Sequence, residues 1–382
     1  MNFNDFIKAE FPLTHDIIYY ESARITPPSK SVHDAIRAFY DDLFNNGEDR
    51  DKYDMKAQEV RTKFARLINA DPGETAIIRN TTEGINIASN GLAINEGDNV
   101  VTTSMEHRNN IYPWLYLRTK GVEVRVVDHE NYSLPLEKVV SQIDERTRAV
   151  GISHVQFLNG YRSDLKALAN ESHKAGAVLV VDAIQSVGKI PIDVKEIGVD
   201  ILSCGGHKGL FAGRGIGCLY CSRQVMDKIR LVVVAPDPEY RHDMQDLPNL
   251  QFPSSAKRFE AGSLNYAGIH GLSAGLDFVM GIGVEKIHEH ITEIADYMQD
   301  NLESLGFDLI TPRDRSQRGG IVTFSTGNPD YMVAYLKNKK ILANVRNGFV
   351  RVAPHIYNTM GEAHKFIEAC KGYPDRKKSC IQ

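Results

Sequence analysis

Between about residue 60 and residue 230 the chain alternates two hydrophobic rhythms. Residues 54–67 and 165–174 space their apolar positions three and four apart, the repeat of one helix face. Between such stretches run short β-branched segments at 76–78, 100–102, 122–127, 149–153 and 178–181. Strands separated by helices predict βαβ units and a mostly parallel sheet of the seven-stranded type, its right-handed crossovers covering both faces. Past Asp237 the pattern changes. Residues 238–253 are polar and irregular, a long excursion, followed by helices at 268–281 and 283–305. Strand-like runs at 320–325 and 349–353 then alternate with helices ending near Ala369. The pattern predicts an α/β fold: a large domain over 15–265, and a smaller C-terminal α+β domain over 266–382 joined by residues 1–14. There is no internal repeat and no low-complexity segment.

Composition narrows the class. A chain of 382 residues suits two domains, and 42 % hydrophobic with 25 % charged residues is globular usage. The net charge of −4 comes with scattered basic residues, so no nucleic-acid partner is expected. Residues 375–378 read as a short frayed tail. No apolar run approaches the ~20 residues of a membrane span, and the start lacks the regions of a signal peptide. No membrane partner is expected, and the cytoplasm is the expected compartment. Cys218 and Cys221 form a CxxC pair, but they sit in a strand-like run where positions three apart face opposite ways. No second CxxC completes a zinc site, so no metal is expected there.

Open α/β sheets bind ligands beyond the carboxyl ends of their strands, and polar residues cluster there. Gly205-Gly206-His207-Lys208 ends a strand in a glycine-rich turn that leaves the Lys208 amine free to react. A solvated surface lysine is the plain alternative. Asp182 closes the apolar run 178–181, where a buried acid needs a cationic partner or serves as a helix cap. A protonated pyridine nitrogen would be such a partner, and Gln185 could donate to that ring's phenolic oxygen. Arg79-Asn80-Thr81-Thr82-Glu83-Gly84 lies between a strand and a helix, a phosphate cradle or an ordinary capped helix start. Glu106-His107 follows another strand, and His107 could stack on a planar ring or be a satisfied buried histidine.

Taken together, Asn80-Thr81-Thr82-Glu83, Glu106-His107, Asp182 with Gln185, and Gly206-His207-Lys208 resemble the fold-type I pyridoxal-phosphate enzymes of aminotransferase class V, the group of the cysteine desulfurases. Phe259-Glu260-Ala261-Gly262-Ser263 with Asn265 resembles the family's loop after the cofactor lysine. The resemblance implies pyridoxal 5'-phosphate bound to Lys208, which also moves the Cα proton. It implies Asp182 on the pyridine nitrogen, Gln185 on the phenolic oxygen and His107 on the ring face. Thr81, Thr82 and His207 would hold the phosphate, with Ser263 serving the neighbour's phosphate in a homodimer. Arg351, and less closely Arg346, align with the region that binds the substrate carboxylate.

The chain also departs from the desulfurases. Gly205 stands where they often place a phosphate-binding serine. The stretch 346–351 leaves no loop for a persulfide cysteine, and Phe157 alters the substrate side of the ring. Arg24 occupies a small residue's place over the pocket, either facing inward toward a second anionic group or solvated outside. The implied activity is β-elimination at the Cα of a small amino-acid substrate, C–S cleavage foremost. Class V transamination, epimerisation and a degenerate cofactor-binding regulator are the alternatives.

Overall fold

The computed structural model describes residues 3–235 and 252–374, so nearly all of the 238–253 excursion and the whole 375–378 tail lie outside the described residues. Twelve described strands run in chain order: β1 (Ile18–Tyr19), β2 (Thr75–Ile78), β3 (Asn99–Thr103), β4 (Glu123–Val127), β5 (Thr147–Ser153), β6 (Val178–Asp182), β7 (Ile201–Gly205), β8 (Gly217–Cys221), β9 (Val322–Phe324), β10 (Ile341–Leu342), β11 (Asn344–Arg346) and β12 (Phe349–Val352). Seven of them form the central sheet in the order β2-β8-β7-β6-β5-β3-β4. All neighbours pair in parallel except β8, which runs antiparallel to β2 and β7. This is the α/β fold with a mostly parallel sheet that the β-branched runs predict.

The strands are buried along nearly their whole length, as expected of a sheet covered on both faces. Cys218 packs in the core on one side of the sheet and Cys221 in the core on the other, so the CxxC pair is split by the strand's own alternation. Helix Leu165–Lys174 has the bounds its spacing predicts, because Asp164 caps its start by accepting the Ala167 amide at 3.0 Å. Helix Thr81–Gly91 begins four residues before its apolar repeat does, because Asn80 caps it by accepting the Glu83 amide at 3.0 Å.

The C-terminal part carries a three-stranded antiparallel sheet, β11-β12-β9, with helices Val284–Ser304, Pro329–Asn338 and Met360–Lys371 around their own core. Helix Tyr266–Ile282 shares the larger core with helix Arg50–Leu67. The N-terminal segment links the two parts. Its β1 pairs in parallel with β10, and the Tyr20 carbonyl accepts the Ala353 amide at 2.8 Å. Three residues on from Ala23 it reaches the central sheet's loops, where Thr26 donates to the Lys208 carbonyl at 2.7 Å.

Candidate active site

A cavity of about 670 Å³ opens at the carboxyl ends of the parallel strands. Each strand end delivers a side chain to it: Thr81 and Thr82 after β2, His107 after β3, Phe157 after β5, Asp182 and Gln185 at the end of β6, and His207 with Lys208 after β7. Arg24 comes from the N-terminal segment, and Arg346 and Arg351 from β11 and β12. Eleven of the twelve residues singled out in the sequence therefore meet in one place.

Asp182 and Lys208 set the electrostatics. The Asp182 side chain is 4 % exposed and its single hydrogen bond among the described residues is the Ile184 amide at 2.9 Å. Burial pushes its carboxyl up from the usual range, and Glu106 adds to that, while Lys208 pulls it down. Burial pushes the Lys208 amine down from the lysine range against the opposing pull of Asp182, and Arg351, Arg346 and Arg214 push it further. A lysine depressed in this way has a populated neutral form, the form that reacts with a carbonyl or takes a proton.

The neighbouring carboxylate, Glu106, is treated differently. It accepts from the Ser153 amide at 2.9 Å and the Gln156 and Asn110 side-chain amides at 2.6 Å each, with the hydroxyls of Ser153 and Thr103. Glu106 is thus a satisfied structural carboxylate, whereas Asp182 holds open acceptor capacity toward the cavity.

At the cradle end, the amides of Thr81 and Thr82 are the first of their helix and have no carbonyl partner within it. His207 lies beside them, and burial with the charge of Lys208 pushes its ring down to about 4. A Cβ at position 205 would stand 3.1 Å from His207 Nδ1 and from Ile184 Cδ1, so glycine there leaves room for the ring. His107 Nδ1 accepts the Asn109 amide at 3.2 Å, capping helix Arg108–Leu115. The ring meets Phe157 edge-on at 4.9 Å, and burial holds its pKa below the usual histidine range. Gln185 donates from Nε2 to the Ala23 carbonyl at 2.9 Å, leaving one amide hydrogen over and a buried Oε1 without a partner among the described residues.

At the other end, Arg351 is 1 % exposed yet among the described residues meets only neutral acceptors, Asn344 Oδ1 at 3.1 Å and the Phe157 carbonyl. Burial, reinforced by Arg346, pushes its pKa down to about 9. Arg24 lines the mouth with its side chain 53 % exposed, 3.6 Å from Glu21. The residue is therefore at once a lining group and a solvated one.

Ser263 is the exception. It is exposed and lines a separate cavity of about 770 Å³ with Arg61, Glu260 and Tyr266. The loop before it is anchored by Glu260, which accepts from Arg61 Nε and the Ile77 amide, each at 2.8 Å. Asn265 then ties the loop to the cavity rim, donating to the Gly215 carbonyl at 3.1 Å. Sequence reasoning missed Arg214, which lines the cavity beside Gly215. It also missed Asn344, which orients Arg351, and Lys189, buried beneath the site.

These residues fit pyridoxal phosphate. A buried, under-bonded Asp182 carboxylate suits a pyridinium nitrogen, two helix-start amides without a partner in their helix suit a phosphate, and a depressed lysine amine suits the aldehyde. The class so defined is that of the lysine-linked pyridoxal-phosphate enzymes. The sequence profile of the aminotransferase class-V family matches residues 18–366. The chain belongs to that family and is a pyridoxal-phosphate-dependent, cysteine desulfurase-like enzyme of fold type I. It is 31 % identical to a probable cysteine desulfurase of Methanothermobacter thermautotrophicus, over 93 % of this chain and 94 % of that protein. It is 30 % identical to an uncharacterized aminotransferase of Bacillus subtilis, over 91 % of each. Its fold matches the apo cysteine desulfurase of Thermococcus onnurineus with a TM-score of 0.89, at 26 % identity, covering 97 % of this chain and 98 % of that one.

Proposed function

We propose that this enzyme cleaves the bond between Cβ and a leaving group of an amino acid, a C–S bond foremost, and releases the leaving group rather than passing it to a protein thiol. The observation that carries this reading is the chemistry of the cavity wall: none of the described residues lining it is a cysteine. The described cysteines, Cys204, Cys218, Cys221 and Cys370, are all buried, and burial pushes each thiol up from its usual range. A raised thiol is a poor sulfur acceptor.

When bound, pyridoxal phosphate supplies the electron sink that makes the Cα proton acidic. The chain's own residues do the rest. Arg351 takes the substrate α-carboxylate and fixes which Cα bond stands toward Lys208. The neutral Lys208 amine accepts the Cα proton, and the leaving group departs from Cβ with its bonding electron pair. Asp182, held by the Ile184 amide, would pair with the pyridine nitrogen; Gln185 and His107 would hold the ring, and Thr81, Thr82 and His207 the phosphate. Phe157 keeps water from that face. Transamination would begin with the same proton transfer and end in keto-acid exchange; it is the second reading, and two relatives named as aminotransferases keep it in play.

We assign the working form to a homodimer in which Ser263 serves the partner's phosphate. Its exposure within a second, separate cavity supports that reading. Purified holoenzyme incubated with an amino-acid panel is expected to release pyruvate, ammonia and sulfide or a thiol from β-substituted substrates. Keto-acid exchange without pyruvate would replace elimination by transamination. Full activity in a monomer, shown by sedimentation at assay concentration, would remove the shared site.

A further inference from the structure

The arginines at the substrate end are more numerous than an α-carboxylate requires. In the antiparallel pairing of β11 with β12, Asn344 faces Arg351 and Arg346 faces Phe349. Paired residues project to the same side, and alternate residues of a strand share a face. Arg346 and Arg351 therefore stand on one face of the hairpin, and both line the cavity. Among the described residues, neither has a carboxylate at ion-pairing distance. Arg24, at the mouth, shares the field of these two, and the one acid in the group is Glu21, 3.6 Å from Arg24. Three guanidiniums against one carboxylate leave two positive charges on the substrate side. Asp182, the remaining acid in the wall, already faces Lys208.

Like charges gathered along a partly buried wall without counter-ions destabilise the free enzyme, and a ligand that supplies the missing charge relieves them. An α-carboxylate on Arg351 supplies one. We infer that the substrate carries a second anionic group, held by Arg346: an α-amino acid whose side chain ends in a carboxylate, sulfinate or sulfonate. Arg24, half-exposed and already paired with Glu21, screens the mouth and adds less. The inference rests on the assignment of Arg351 to the α-carboxylate made above, and it concerns recognition, whichever bond is then broken.

The test uses holoenzyme loaded with pyridoxal phosphate and two unreactive four-carbon ligands, succinate with two negative charges and butyrate with one. Calorimetric titration at fixed ionic strength is expected to show succinate binding about ten- to a hundredfold more tightly, the worth of one charge-assisted contact. Arg346→Gln should remove most of that preference while leaving butyrate within about twofold of wild type, and Arg346→Lys should restore part of it. Arg24→Gln should change the ratio by less than about threefold. Equal binding of the two ligands to wild type would overturn the inference, without reference to any variant's folding. So would an Arg346→Gln enzyme that loses succinate and butyrate equally, since one carboxylate would then span both arginines. A failure of the elimination reading appears instead in the product assay, which these unreactive ligands do not touch.

Discussion

The two ends of the cavity solve opposite problems. At the cofactor end, every side chain stands at the end of a buried parallel strand or at the first turn of the helix after it. Its charges answer one another: Asp182 faces Lys208, and Glu106 is closed off by neutral donors. At the substrate end, the arginines come from a three-stranded sheet in the smaller part and from the segment that straps the two parts together. Arg24 pairs with Glu21, but Arg346 and Arg351 have no carboxylate partner among the described residues. A resident group can be met by a site whose electrostatics are complete once it is loaded, whereas a substrate that comes and goes has to be met by a site that is incomplete without it. The contrast predicts that damage at the first end shows in both stability and turnover, and damage at the second chiefly in binding.

The strongest challenge to that contrast is Lys208→Ala. Loss of the neutral amine should reduce turnover by roughly 10²–10⁴-fold, the range for a positioned proton-transfer group. Borohydride should no longer fix the cofactor covalently, which mass spectrometry of the reduced protein reads directly. Fixation at another lysine would move the reacting centre away from the end of β7 and dissolve the comparison at its root.

Asp182→Asn sharpens it, because two signs are expected from one substitution. In the loaded enzyme the variant should lose about ten- to a hundredfold in turnover, the value of a charge-assisted hydrogen bond. In the apo protein it should raise Tm by about 1–3 °C, since a buried carboxylate with one hydrogen bond is removed. The pH dependence follows from the raised carboxyl. The unfolded chain releases this proton near 3.8, while the folded apo chain holds it to higher pH. In between, the folded state carries the extra proton, so stability falls as pH rises, and the gain from asparagine should grow from pH 4 toward neutrality. Apo thermal melts across that range decide it. A gain independent of pH would mean the carboxylate is not the source.

The two ends also differ in how far the sequence reveals them. The cofactor end follows from local rules: β-branched runs place β5, β6 and β7, the glycines around Lys208 mark the turn, and Asn80 with Glu83 marks the helix start. Ser263 departs from that pattern, since it lines a separate cavity. The substrate end depends on pairings between distant residues. Arg351 is oriented by Phe157, far back in the chain, and Arg346 acquires its role from the β11–β12 register. Arg24 is positioned by a segment whose strand, β1, pairs with residues more than three hundred positions away. No periodicity or short motif records such contacts, so the sequence leaves the reading of Arg24 open and ranks Arg346 below Arg351.

The smallest effect concerns Lys189, which lies below both ends and belongs to neither. It is 3 % exposed, and its amine donates to Ser22 Oγ at 3.2 Å, the residue before cavity-lining Ala23. Ser22 in turn donates to the Pro354 carbonyl at 3.3 Å, so the lysine helps fasten the strap between the two parts. Burial, with the charges of Lys208 and Arg351, pushes its pKa from 10.5 down to about 7. Between those values the unfolded chain holds a proton that the folded chain has released, so this group's contribution makes stability rise with pH across the window. Below pH 7 both states are protonated and the full burden of the buried charge is felt. Lys189→Met, which keeps the apolar stem and removes the amine, should therefore raise Tm by a few degrees at about pH 6–7 and by progressively less toward pH 10. Because the strap loses one hydrogen bond, KM for the substrate should rise about two- to fivefold with kcat nearly unchanged. Paired melts of the apo protein at several pH values, with steady-state kinetics on the holoenzyme, separate the two effects. A Tm gain that does not shrink with pH would show that the folded chain holds Lys189 at its ordinary pKa, with no penalty from burial. A large fall in kcat would place the lysine within the reacting end itself.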